Sequence, residues 1–187
     1  LFGFNAGELR ESVLKGAANI KSMSISRRLP DTVHIEVVER DPVARFGSSK
    51  GLMVADMEGY IFVLPASRFN LPVITGYRTD NLRPGDVVEG QTLAALELLD
   101  ACSDPRLSLR VDAIDVGQEG YLVLQVPQDK LVKEIKMAWK GMGSAASDAH
   151  QNLLKKLSWL AQVLQSPDVK RLLKLDATLD GGRVYGQ

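Results

Sequence analysis

Arg27-Arg28-Leu29-Pro30-Asp31-Thr32-Val33-His34-Ile35-Glu36-Val37-Val38-Glu39-Arg40, followed at once by Asp41-Pro42-Val43-Ala44-Arg45, alternates apolar and polar residues between two prolines. The alternation predicts a strand with Val33, Ile35 and Val37 on one face and His34, Glu36 and Val38 on the other. Leu29-Pro30-Asp31-Thr32 predicts a tight turn, because proline presets φ and aspartate bonds back to its own backbone. Pro42 has no N–H to give a ladder, so a new unit is expected to begin there.

Upstream, Met23 and Ile25 alternate with Ser22, Ser24 and Ser26, which predicts a partner strand. Asn5 with Glu8 three residues on reads as a helix start. Leu9, Val13 and Leu14 give that helix a short apolar face, and Gly16 ends it. The first part of the chain is therefore expected to be a helix followed by a β-hairpin, with Val33, Ile35 and Val37 covering the helix.

Downstream, strands are predicted over residues 52–55 and 60–64, joined by Asp56-Met57-Glu58-Gly59. Residues 65–90 read as loop, with Pro72, Gly76, Pro84, Gly85 and Gly90. Residues 91–101 make an amphipathic helix through Leu93, Leu96 and Leu99. Strands are expected over 108–116, 121–126 and 131–139. Residues 141–149 form a small-residue loop. A helix over 150–165 carries Leu153, Leu157, Leu160 and Leu164 at helical spacing. A last strand over 172–179 leads through an Asp180-Gly181-Gly182 turn to Arg183-Val184-Tyr185.

The bulk numbers suit one or two small domains: 187 residues, 45% apolar and 25% charged. Lysine plus arginine equals aspartate plus glutamate at 23 each, so no global pull toward nucleic acid or anionic lipid exists. The lone Cys102 excludes an intramolecular disulfide and a multi-cysteine zinc site. The chain opens on Leu1, without methionine, and a membrane span or signal peptide, absent from these residues, is expected upstream if at all.

No residue set makes a catalytic constellation. His34 lies on the polar face of a strand and His150 opens a helix, neither beside a nucleophile and carboxylate. Cys102 ends an apolar helix face, where a free thiol acts as a small hydrophobe. Gly141-Met142-Gly143-Ser144-Ala145-Ala146 fits a dinucleotide fingerprint but lacks a second mononucleotide half. Carboxylates are scattered and fit no metal pattern. Catalytic, cofactor and metal residues are therefore expected to be none, and no nucleic-acid stripe is present.

The block from Arg27 to Ala44 resembles the POTRA domain of the FtsQ/DivIB family of bacterial cell division proteins, with Arg28, Pro30, Glu39, Arg40 and Pro42 as its motif residues. Three later stretches follow in the family's order: Val54-Ala55-Asp56-Met57-Glu58-Gly59-Tyr60-Ile61-Phe62, Leu71-Pro72-Val73-Ile74-Thr75-Gly76 and Leu175-Asp176-Ala177-Thr178. The chain departs from the family in several ways, one being that these residues hold neither the family's cytoplasmic tail nor its single membrane helix. It begins at the second POTRA helix, it has Thr178 where arginine is common, and the small residues of 141–149 are not a family feature.

The resemblance implies an α+β fold: a partial POTRA domain (helix plus hairpin, residues 1–43) followed by a mostly antiparallel β domain with two or three helices (residues 44–187). It implies a non-enzymatic, single-pass protein of the inner membrane, with this chain on the periplasmic side. It implies a scaffold of the divisome binding FtsB and FtsL by strand addition at a C-terminal edge running from Asp176 to Tyr185. The expected contact residues are Thr178, Leu179, Asp180, Gly181, Gly182, Arg183, Val184 and Tyr185. Such an edge offers unpaired backbone groups to an incoming chain. The competing reading is another periplasmic POTRA protein that handles polypeptides for export or outer-membrane assembly.

Overall fold

A computed structural model describes residues 5–47, 53–64, 70–77, 82–129, 131–140, 142, 147–178 and 185–186. Helix α1 (Ala6–Gly16) starts where the Asn5 side chain accepts hydrogen bonds from the backbone N–H of Gly7 and Glu8, satisfying two orphan donors of the first turn. Strands β1 (Ile20–Arg28) and β2 (Thr32–Glu39) pair antiparallel across the turn at Leu29-Pro30, with Met23 opposite Val37, Ile25 opposite Ile35 and Arg27 opposite Val33. These pairs share a face.

The expected cover of α1 by this face is corrected by the structure. The helix lies along β1, where Met23 is buried and its carbonyl takes a hydrogen bond from Arg10 Nε at 2.9 Å. The β2 half of the face extends past the helix, leaving Ile35 48% and Val37 46% exposed.

The rest of the strands form a second, nine-stranded sheet. They are β3 (Ala44–Phe46), β4 (Met53–Ala55), β5 (Ile61–Val63), β6 (Val73–Thr75), β7 (Ala113–Asp115), β8 (Tyr121–Gln128), β9 (Leu131–Ala138), β10 (Lys174–Ala177) and β11 (Tyr185–Gly186). Their order is β11-β10-β9-β8-β7-β6-β3-β4-β5. Most pairs are antiparallel, while β3–β6, β6–β7 and β9–β10 are parallel. Helices α2 (Gly90–Cys102), α3 (Ser147–Gln165) and the single turn α4 (Pro167–Lys170) complete the chain. The fold is α+β.

Burial alternates along the central strands. Leu122, Leu124 and Val126 of β8 and Ile135 and Met137 of β9 join Leu96 and Leu99 of α2 and Leu153, Leu157, Leu160 and Leu164 of α3 in one apolar core. On the other face Gln125, Val132, Glu134 and Lys136 are exposed.

Two elements depart from expectation. β6 sits in the middle of the sheet within the stretch that reads as loop. It is a three-residue β-branched run between Pro72 and Gly76, too short to show a period. The strand expected over 108–116 is laddered only at Ala113–Asp115. Asp112 N–H donates to Gln125 O at 2.9 Å, so β8 residues of that parity aim their backbone at β7. Two residues further along, Pro127 has no N–H to offer, and Ser108 with φ 48° then bends the chain away.

One polar cluster joins the two sheets. Arg40, just past β2, donates from its backbone N–H to Asn19 O at 2.8 Å. Its Nη1 meets Asp56 Oδ2 at 2.5 Å and Glu58 Oε2 at 3.5 Å, and the guanidinium carbon lies 3.7 Å from the centroid of the Tyr60 ring. The other oxygen of the buried Asp56 accepts the backbone N–H groups of Glu58 and Tyr60, each at 3.0 Å. That carboxylate thus shapes the β4–β5 turn and grips the arginine. Gly59 completes the turn at φ 77°, where an added Cβ would run into the backbone carbonyl of Val88. Lys21 Nζ of β1 reaches Glu58 Oε1 at 2.8 Å.

Removing one partner of a buried pair strands the other charge. Arg40→Met is therefore expected to lower stability by about 3 kcal/mol, measured by urea unfolding. Lys21, then Arg40, holds the Glu58 carboxyl below its ordinary value. A depressed carboxyl pKa contributes stability that is complete above the ordinary glutamate range and is lost as pH falls through the lowered folded value. A carbon-detected NMR titration should place the Glu58 midpoint below the ordinary one, and Lys21→Met should move it back up.

Candidate partner-binding edge

The two rims of the large sheet differ. At the β5 rim the segment 85–88 lies alongside the strand. Ile61 N–H donates to Asp86 O at 2.8 Å, Gly85 N–H to Ile61 O at 2.8 Å and Val88 N–H to Gly59 O at 2.8 Å, and Tyr60 bridges to Val87. That rim is covered by its own chain from Gly59 to Ile61. At the other rim β11 is outermost, and no strand lies beyond it among the described residues.

The rim is positioned by β10, which runs parallel to β9 with Leu175 opposite Ile135 and Asp176 opposite Lys136. Leu175 is buried under the helices. What holds β10 there is a lysine. Lys133 of β9 lies in phase with Ile135 and Met137 on the core side and is fully buried. Its Nζ donates to the carbonyls of Val169 at 2.9 Å, Lys170 at 3.0 Å and Leu172. Of these, the Val169 carbonyl also accepts the Leu172 N–H at 3.0 Å, while those of Lys170 and Leu172 have no backbone partner among the described residues. Burial pulls the Lys133 pKa down. Glu134 N–H accordingly reaches Leu173 O at 2.9 Å, and the ladder of β10 begins.

β10 ends at an aspartate turn. Asp176 Oδ1 accepts from Thr178 N–H at 3.0 Å and from Thr178 Oγ1 at 2.6 Å. These bonds hold the Asp176 carboxyl below the usual range, with Lys136 adding to the effect. Beyond the turn, β11 pairs antiparallel with β10 through Leu175–Gly186 and Asp176–Tyr185. Asp176 therefore has a strand on both sides, and the outer position belongs to Tyr185 and Gly186.

Of the expected contact residues, the structure places Thr178 in the turn and Tyr185 on the outermost strand. Leu179, Asp180, Gly181, Gly182, Arg183 and Val184 lie outside the described residues. The motif residues are elsewhere: Arg28, Pro30 and Glu39 on the hairpin, Arg40 in the clamp to Asp56, and Pro42 between the sheets. Lys133 was not singled out in the sequence. Its signal was present as a lysine at an in-phase core position of β9.

The other sequence candidates stay apart from this rim. His34 is exposed on β2, and His150, three residues inside α3, lies 3.9 Å from Glu97 Oε1. Burial pushes the Cys102 thiol up to about 12, far from a thiolate. Among the described residues no three His, Cys, Asp or Glu side chains cluster as a metal site, and no helix is long and apolar enough to cross a membrane.

Comparison with known proteins places the first unit. The model for the FtsQ-type POTRA domain matches residues 1–40. The cell division protein FtsQ of Rickettsia bellii is 40% identical over 60 residues, which are 32% of this chain and 22% of that protein. FtsQ of Rickettsia felis is 38% identical over 60 residues, with the same shares. FtsQ of Neisseria meningitidis is 40% identical over 57 residues, 30% of this chain and 23% of the relative. The likeness thus spans less than a quarter of each relative's length.

Lys133→Met should cost about 2 kcal/mol, the order of the penalty for leaving buried carbonyls unsatisfied. Hydrogen exchange should show β10 amides opening more readily than those of β8.

Proposed function

We propose that this chain is the extracytoplasmic part of a cell division protein, anchored in the cytoplasmic membrane by a single upstream span, that works as a scaffold of the divisome and catalyses nothing. In this reading residues 1–43 are the C-terminal part of a POTRA domain that helps bring the protein to the division site. Residues 44–187 are the β domain that receives FtsB- and FtsL-type partners and so links early to late division proteins. The partner adds a strand at the C-terminal rim, against Thr178, Leu179, Asp180, Gly181, Gly182, Arg183, Val184 and Tyr185.

The observation that carries this reading is the asymmetry of the sheet. Residues 85–88 cover one rim at Gly59–Ile61, and the other ends on β11 with no further strand among the described residues. An open rim supplies main-chain donors and acceptors for affinity and alternate side-chain positions for choice of partner. The likeness of residues 1–40 to FtsQ-type POTRA domains supports the choice of a division protein.

The test is titration of an FtsB peptide onto the chain carrying Gly186→Pro, which deletes a backbone donor of β11 on the side away from β10, the Tyr185 N–H being turned inward to Asp176. Binding at least tenfold weaker, a loss of about 1.4 kcal/mol, is expected with the thermal midpoint unchanged. Undiminished binding would reject the C-terminal rim.

A further inference from the structure

A cleft of about 610 Å³ opens where the chain segments leading into β6 and β7 diverge. One wall carries Arg45, Leu71 and Pro72, the other carries residues 108–112, and the end of α2 closes the back at Cys102 and Ser103. The volume falls in the range of ordinary ligand sites, about 300–1,000 Å³.

The wall at 109–112 is built as a strand. Leu109 and Val111 are buried and Arg110 between them is exposed. Yet Leu109, Arg110 and Val111 make no backbone hydrogen bond among the described residues. Pro127 removes the donor that β8 would have aimed at them. On the facing wall, Val73 N–H donates to Asp112 O at 3.0 Å. Leu71, two residues earlier and of the same parity, turns its own N–H to the same side and finds no partner among the described residues. The two walls therefore present backbone groups of a ladder that has been opened.

The charges in the cleft are unequal. Asp112 is paired with Arg110 at 2.8 Å and Asp104 with Arg106 at 2.5 Å. Arg45 has no carboxylate among the described residues. Its Nε donates to Leu71 O at 3.2 Å, and its other nitrogens remain for an incoming group.

We infer that this cleft is a second docking site, taking an extended segment of a partner polypeptide that pairs with residues 109–111 and brings a carboxylate to Arg45. Backbone pairing supplies the fit, and an arginine fork meeting a carboxylate supplies the selectivity. This inference is independent of the β11 rim.

The experiment is selection of a random hexapeptide library on the 187-residue chain and on its Arg45→Gln variant, followed by synthesis of the consensus peptide. The expected consensus has Asp or Glu at one fixed position among alternating apolar residues. The synthetic peptide should bind Arg45→Gln at least tenfold more weakly and should slow hydrogen exchange at Leu109–Val111. Should Arg45→Gln fail to fold, replacing the fixed acid of the peptide by its amide must weaken binding to the unaltered chain by the same factor. The inference is overturned by no consensus, a consensus without an acid, equal binding of the amide peptide, or protection at β10 and β11 instead. Slow exchange at 109–111 in the chain alone would also overturn it.

Discussion

Arg40 leaves the end of β2 with its guanidinium on Asp56 and over the ring of Tyr60, and the arrangement of the two sheets rests on that contact. Taking two charges out of water is costly, and attraction offsets the cost only where the remaining hydrogen-bond capacity is filled. Asp56 meets that condition, since Arg40 takes one oxygen and the N–H groups of Glu58 and Tyr60 take the other, whereas the Arg40 Nε is buried without a partner. The same carboxylate folds the turn between β4 and β5, so the turn and the attachment of the hairpin are one structure. Glu58, shared between Lys21 and Arg40, adds a solvent-exposed tie from β1.

The large sheet shows how edges are handled when strands are short. Most of its strands near the β5 rim have three residues, and that rim is covered by residues 85–88, held in place where Gly59 allows Val88 to approach. At the far rim the longer strands β8 and β9 form a platform, and β10 and β11 are added to it through the carbonyls gathered by Lys133. A sheet partly covered on one side and extended on the other is suited to receive a chain on the extended side.

Much of this was legible in the residues. The Asn5 cap, the hairpin around Leu29-Pro30, the stop at Pro42 and the leucine face of α3 each rest on a local rule, and each forms as read. The failures share a cause, which is dependence on a distant neighbour. β6 is a strand because β3 and β7 flank it, and its three residues carry no period of their own. Residues 108–112 have the right alternation but lose their ladder to a proline in another strand. Ile35 and Val37 have the right pattern for a covered face, but α1 lies over β1. Lys133 stands at a core-phase position of β9, but the carbonyls that receive its ammonium come from the end of α4, far along the chain. At the candidate rim, the aspartate turn at Asp176 and Thr178 and the double pairing of β10 depend on strand order, which spacing does not specify.

Lys133 also ties distant parts of the chain together. The carbonyls of Val169, Lys170 and Leu172 that its ammonium requires lie more than thirty residues further along. Without them β9 carries a charge on the side that faces the interior, and closing the core over it is unfavourable. The platform therefore depends on the tail, and a chain truncated before Val169 keeps the interior side of β9 wet.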